Sequence, residues 1–167
     1  MSSRFFAATA LAAMIAGAAE AAPQTLIAEL KNSTGQTVGA VIATEAPKGV
    51  LLKVEAKGLS AGWHGLHFHE KGDCSKSDFT SAGAHVHGSA AAVHGLLNPA
   101  ANDLGDLPNV HAGADGAVSA EVFSSLVTLK ALRDADGSAV VIHANPDDHM
   151  AQPIGGAGPR VACAVIK

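Results

Sequence analysis

Two histidines, His67 and His69, stand two positions apart in GLHFHEKGD, residues 65–73, with Phe68 between them and a charged turn behind. Side chains alternate between the faces of a β-strand, so residues at i and i+2 point the same way. Both imidazoles then reach one point in space, and two neutral imidazoles on a rigid strand make half of a site for copper, zinc, nickel or iron. A solvated pair on a strand surface would show the same spacing if the stretch stood alone. It does not: the chain carries His64, His67, His69, His85, His87, His94, His111, His143 and His149, about three times the histidine content ordinary for its size.

The other histidines fall in two settings. His143 sits in the apolar run SAVVIHA, residues 138–144, where an unpaired imidazole is costly to bury, so the position calls for a backbone partner or an ion. Residues 71–115 hold His85, His87, His94, Asp103, Asp106 and His111 in a long stretch with little strand pattern. Loops of that length inside a compact domain are functional or disordered, and this composition is not that of a disordered segment. A metal ion is the economical way to tie it down. Residues 145–159, NPDDHMAQPIGGAGP, make a second loop.

The elements that position these groups read as strands. TLIAEL (25–30), TVGAVIAT (37–44), GVLLKVEAKGL (49–59), GWHGLHFHE (62–70), GAVSAEVFSSLVTL (116–129), SAVVIHA (138–144) and RVACAVIK (160–167) are short alternating or apolar runs between Gly, Asn, Asp and Pro punctuation. No window sustains a capped helical periodicity, so the pattern predicts an all-β sandwich or barrel of antiparallel strands.

Before these comes MSSRFFAATALAAMIAGAAEAAPQ. Arg4 gives a positive start, an apolar run follows from Phe5 to Ala19, and Ala19-Glu20-Ala21 fits the small-x-small rule for signal peptidase. The expectation is a secretory signal over 1–21 and one domain over 22–167. A membrane anchor fits less well, because the run is short and rich in weakly hydrophobic alanine. Net charge is −4 with histidine neutral, and no basic run occurs, which argues against nucleic acid as a partner. Cys74 and Cys163 both lie in the exported part. In an oxidising compartment two such thiols usually pair, and no CxxC spacing favours a metal instead.

GLHFHEKGDC, SAGAHVHG, VHG, LGDLPNV, VVIHANPDD and GGAGPRVACAVIK occur in the order and approximate spacing found in the exported bacterial copper/zinc superoxide dismutases. The resemblance runs from about Thr25 to Lys167. It implies an antiparallel Greek-key β-sandwich or barrel, immunoglobulin-like in architecture, with two long functional loops. The implied activity is dismutation of superoxide to oxygen and hydrogen peroxide at a redox-cycling copper, bridged through a histidine imidazolate to a structural zinc. By the same resemblance copper is held by His67, His69, His85 and His143, and zinc by His85, His94 and Asp106. His85 is the bridge and carries a proton. Arg160 orients superoxide beside copper, Asp147 links a copper-bound to a zinc-bound histidine, and Cys74 and Cys163 form the family's disulfide within the chain.

One position departs from the family pattern. In NDLGDLPN, residues 102–109, Asp103 stands where a histidine is the rule. Carboxylate oxygen is an acceptable zinc donor, so the expected zinc set is His85, His94, Asp103 and Asp106. His87 is the alternative fourth ligand, and a weakly held zinc is a third outcome. His64, His111 and His149 match no ligand position and read as exposed or structural. The resemblance places the protein in the periplasm, with no membrane association after signal cleavage, and leaves a homodimer open. A second reading of the same chain is a non-catalytic copper and zinc buffer on this fold. Arg160 and the complete copper set speak against it, since a buffer has no use for an anion-orienting guanidinium.

Overall fold

The computed structural model describes residues 22–167; the expected signal over 1–21 lies outside the described residues. Nine strands follow in order: β1 (Thr25–Asn32), β2 (Thr37–Ala46), β3 (Gly49–Ala56), β4 (Gly62–His64), β5 (Leu66–His69), β6 (Val110–Ala112), β7 (Val118–Ser124), β8 (Ser138–His143) and β9 (Arg160–Ile166). Seven form one antiparallel sheet in the order β5-β8-β9-β1-β2-β3-β7, and β4 pairs with β6 in a separate ribbon. A single helical turn, α1 (Leu129–Leu132), and a 3-10 turn (Thr80–Ala82) complete the described elements. The all-β expectation holds, with one refinement. Residues 71–115 are not wholly strandless, because β6 pairs with Gly62–His64; three residues are too few to show alternation in sequence.

Alternation decides which side chains fill the barrel. In β3, Val50, Leu52, Val54 and Ala56 face inward while Lys53 is exposed. Side chains from all seven strands of the main sheet meet in one apolar cluster, including Leu30, Val41, Leu52, Phe68, Val122, Ile142 and Ile166. The sheet is therefore curled around its own interior.

Strands β5 and β8 differ from the rest, being buried on both faces. Leu66, Phe68, Val140 and Ile142 point into the barrel. Ala139 and Val141 point the other way and pack with Phe79, Ala82 and Cys163. The register pairs His67 with Val141 and His69 with Ala139, so His67, His69 and His143 share this outer face. Burying Phe68 is worth about 1.5–3 kcal/mol. A one-residue slip of β5 would lose it and turn both imidazoles into the core.

The chain from 71 to 109 folds back over that face. Val86 N–H donates to Phe68 O and Phe68 N–H to Gly105 O, and isolated bridges join His69 to His85 and His67 to Asp106. The free edge of β5 thus draws His85 and Asp106 to the histidines of the strand. A disulfide between Cys74 and Cys163 fastens the start of the loop to β9.

Candidate metal centre

His67, His69 and His143 are each 0–1% exposed, and each has a fixed tautomer. His67 Nε2–H donates to Asp147 Oδ2 at 2.8 Å, His69 Nδ1–H to Gly83 O at 3.0 Å and His143 Nδ1–H to Gly158 O at 3.0 Å. A neutral imidazole that donates from one nitrogen presents a lone pair at the other. Those second nitrogens, His67 Nδ1, His69 Nε2 and His143 Nε2, have no hydrogen-bond partner, and neither has His85 Nε2. Four buried lone-pair atoms without partners are costly unless a cation takes them. His67, His69, His85 and His143 do bring one ligand atom each to within 4.8 Å of the others.

A second position lies on the far side of His85. His85 Nδ1 is 2.8 Å from Asp103 Oδ2 and 3.7 Å from Asp106 Oδ1; His94 Nδ1 is 3.7 Å and 2.5 Å from the same two oxygens. Two imidazole nitrogens and two carboxylate oxygens thus face one another at the edge lengths of a small coordination shell. His67, His85, His94 and Asp106 also offer four ligand atoms within 4.8 Å. Asp103 fits this position better than His67, because its Oδ2 faces both Nδ1 atoms while His67 is committed to Asp147 and to the first group. His85 offers Nε2 to the first group and Nδ1 to Asp103 and Asp106.

Asp147 ties the two groups together. Its Oδ2 accepts from His67 Nε2, and its Oδ1 accepts from His94 Nε2 at 3.0 Å. Asn109 holds Asp147 in turn, accepting from its N–H at 2.9 Å and donating to its carbonyl at 2.8 Å. Gly95 N–H donates to Asp106 Oδ2 at 2.7 Å, which aims the other oxygen at His94.

The two sides differ in charge preference. Burial pushes the rings of His69 down to about 2 and of His143 down to about 3, so both stay neutral at any ordinary pH. Burial opposes charge on His94 as well, but Asp103, Asp106 and Asp147 outweigh it and hold the ring up at about 11. The same carboxylates Asp103 and Asp106 raise His85 against its burial. Bonds from the histidines hold Asp103 and Asp147 well below the usual carboxylate range despite burial.

Among the described residues, Arg160 is the cationic side chain beside the first group. Its Nη1 donates to Phe79 O at 2.5 Å and its Nη2 to Gly83 O at 2.6 Å. Gly83 O also accepts from His69 Nδ1, so one peptide group sets both the imidazole and the guanidinium. Gly83 has φ 77°, and a Cβ there would come within 2.4 Å of Glu70 Oε1; that turn therefore demands glycine.

His87 is not brought in. It is exposed, bonds the Gly88 carbonyl, and has Nε2 3.4 Å from Glu70. His64 is buried, its ring nitrogens 2.7 Å from the His143 carbonyl and 2.9 Å from the Ser60 carbonyl, a structural tie between β4 and the end of β8. His111 is exposed and meets Trp63 edge-on, with ring centroids 4.9 Å apart, and His149 lies half-buried beside Asp147 and Asn109. Sequence reasoning missed Asn109, Phe79 and Gly83. Asn109 sits inside the LGDLPNV motif and was findable there; the other two act through backbone carbonyls and leave no spacing signal.

A curled antiparallel sheet with two adjoining ligand groups, one rich in imidazole and one in carboxylate, defines a barrel metalloprotein built for two ions that share a histidine. The family description for copper/zinc superoxide dismutase matches residues 37–166, and the chain belongs to that family. It is 66% identical over 146 residues to a Cu-Zn superoxide dismutase of Caulobacter vibrioides, covering 84% of each chain. Among solved structures, it is similar to a SOD-like protein from Bacillus subtilis, with TM-score 0.75 and 32% identity over 84% of this chain and 97% of that one. It is also similar to the Cu/Zn superoxide dismutase from Brucella abortus, with TM-score 0.71 and 30% identity over 86% of this chain and the whole of that one. These three relatives are bacterial.

Proposed function

We propose that the chain dismutes superoxide with copper held by His67, His69, His85 and His143 and zinc held by His85, His94, Asp103 and Asp106. Dismutation of superoxide, with copper and zinc as cofactors, is the activity of the family to which the chain belongs. The observation that carries the residue assignment is the set of four buried imidazole nitrogens without partners, one on each proposed copper ligand. Neutral imidazoles suit copper, and a compact set with two carboxylates suits zinc.

Copper held by His67, His69, His85 and His143 would supply the one-electron couple, and zinc held by His85, His94, Asp103 and Asp106 would be structural. The residues do the rest. Arg160, held on two carbonyls, presents a fixed positive charge to a small anion in a protein of net charge −4, and such local focusing is what draws an anionic substrate to a negative protein. His85 Nε2, which has no partner in the fold, can hold either copper or a proton, and when free of copper it is placed to pass a proton to the reduced substrate. Asp147 keeps His67 and His94 in their working tautomers through its two oxygens.

A metal buffer on the same fold is not favoured, because the family and the 66% identical relative are superoxide dismutases and a buffer has no use for the anion-orienting Arg160. We assign residues 1–21 as an export signal and 22–167 as the domain released to the periplasm, free of the membrane and able to pair with a second copy. Among the described residues, no helix is long and apolar enough to cross a bilayer.

Stopped-flow superoxide decay tests this reading. Decay is expected to be linear in bound copper and slowed about tenfold or more by Arg160→Ala, the lower end of what charge focusing contributes. Tight copper binding without acceleration would leave the buffer. Asp103→Ala is expected to lose zinc while keeping copper; a full zinc equivalent held at unchanged affinity would remove Asp103 from the set.

The pKa pattern gives a proton count. Zinc entering the metal-free chain at neutral pH must displace the proton on His94, whose ring titrates at about 11, and some of the proton on His85. Copper added next meets His69 and His143 already bare, since they charge only near 2 and 3, and displaces one proton, the one left on His85 Nε2 once zinc has taken Nδ1. Calorimetry in buffers of different ionisation enthalpy is expected to show about one to two protons released per zinc and about one per copper. No proton release with zinc would sink the assignment of sides.

A further inference from the structure

The second loop holds Asp147, and five residues later it presents an exposed glutamine with no place in the chemistry above. Gln152 Oε1 accepts from the main-chain N–H of His94 at 2.9 Å, and Gln152 Nε2 donates to the His94 carbonyl at 2.8 Å. One side-chain amide thus pairs with both backbone polar groups of a single residue, as a neighbouring strand would. His94 lies in a loop, where no strand can supply those bonds. Its ring is held separately, Nε2 by Asp147 at 3.0 Å, so that Nδ1 is left facing Asp103 and Asp106.

The two loops are pressed together at this point. Leu97 N–H donates to His149 O at 3.1 Å, and a Cβ on Gly95, whose φ is +120°, would stand 2.3 Å from that same oxygen. Asn98 Nδ2 shares the His94 carbonyl at 3.1 Å. Of all these contacts only Gln152 grips both sides of the His94 backbone.

We infer that Gln152 is a positioning residue for the zinc site, which fixes the His94 backbone so that the bond from Asp147 can aim the ring. This rests on the proposed zinc set. With the main chain pinned by Gln152 and Nε2 by Asp147, the ring has no free pivot, and Nδ1 meets the ion without further ordering. Without Gln152, the His94 carbonyl keeps Asn98 and the ring keeps Asp147, but the N–H loses its acceptor and the loop can shift. The cost belongs to the range found for partners that orient a ligand, about 10–100-fold in metal affinity, and the retained contacts put it at the low end.

The test is zinc release from the full copper- and zinc-loaded protein to a chromogenic chelator, for wild type, Gln152→Ala and Asp106→Ala, alongside copper release and the melting temperature of each metal-free chain. Gln152→Ala is expected to release zinc about tenfold faster, with copper release and metal-free melting as in wild type. Zinc release within twofold of wild type overturns the inference. So does faster zinc release accompanied by equal loss of copper and lower melting, since that describes general loosening. Asp106→Ala separates this failure from that of the zinc set: if it too leaves zinc release unchanged, the ion is not where the inference needs it.

Discussion

Replacing His143 with alanine is expected to weaken copper binding by more than about 100-fold and to remove dismutase activity in step. The estimate starts from the 10–100-fold cost of losing a partner that merely orients a ligand, which loss of a ligand itself exceeds. His143 is the single histidine of β8, and it reaches the copper group from across the β5–β8 pairing. The Gly158 carbonyl fixes Nδ1, and Nε2 is left without a partner, so the ring is preorganised and nothing nearby can substitute. Copper per chain after dialysis against a competing chelator, measured beside superoxide decay, reads both effects. Zinc content is expected to hold, because His143 makes no contact with His94, Asp103 or Asp106. A variant that keeps a full copper equivalent at wild-type affinity would take His143 out of the set. His111→Ala, at an exposed histidine against Trp63, is the matched control and leaves both readouts unchanged.

Loss of the disulfide is the other large effect. Cys74 and Cys163 are separated by 89 residues, and closing a loop of that length stabilises by about 4–5 kcal/mol in the chain-entropy account. Cys74→Ser is therefore expected to lower the melting temperature by about 10–20 °C, read by calorimetry on metal-free protein so that metal affinity does not enter. Function is expected to suffer separately. The carbonyls that hold Arg160 belong to Phe79 and Gly83, on the stretch that the disulfide ties to β9. The refolded variant is expected to show weaker anion binding than its copper content accounts for. A melting shift under about 3 °C would mean that the loop is held by its other contacts, chiefly Phe79 packed on Ala139, Val141 and Cys163.

Much of the fold was legible because the strands obey the period of two. Every run singled out in sequence contains a strand, and the His67/His69 spacing places both rings on one face as alternation requires. β6 was not legible, being too short to alternate. In the site, the residues proposed to hold an ion announce themselves by chemical type, His and Asp in recurring motifs with an Arg nearby. Residues that orient them do not, since Gly83 and Phe79 act through peptide oxygens and Gln152 through an amide that any loop could carry. His64 shows the limit from the other side. Its type suggested exposure or structure without choosing, and only the fold reveals a ring buried between two carbonyls.

The parity of β5 and β8 has a consequence for how this protein can change. Even-numbered Leu66, Phe68, Val140 and Ile142 fill the barrel, while odd-numbered His67, His69, Val141 and His143 face the loops. Stability and chemistry are therefore written on opposite sides of the same two ribbons, interleaved in sequence yet separated in space by the thickness of a backbone. The interior can drift toward larger or smaller side chains across generations while the outer surface keeps its chemistry, and the loops can be exchanged while the barrel stays shut.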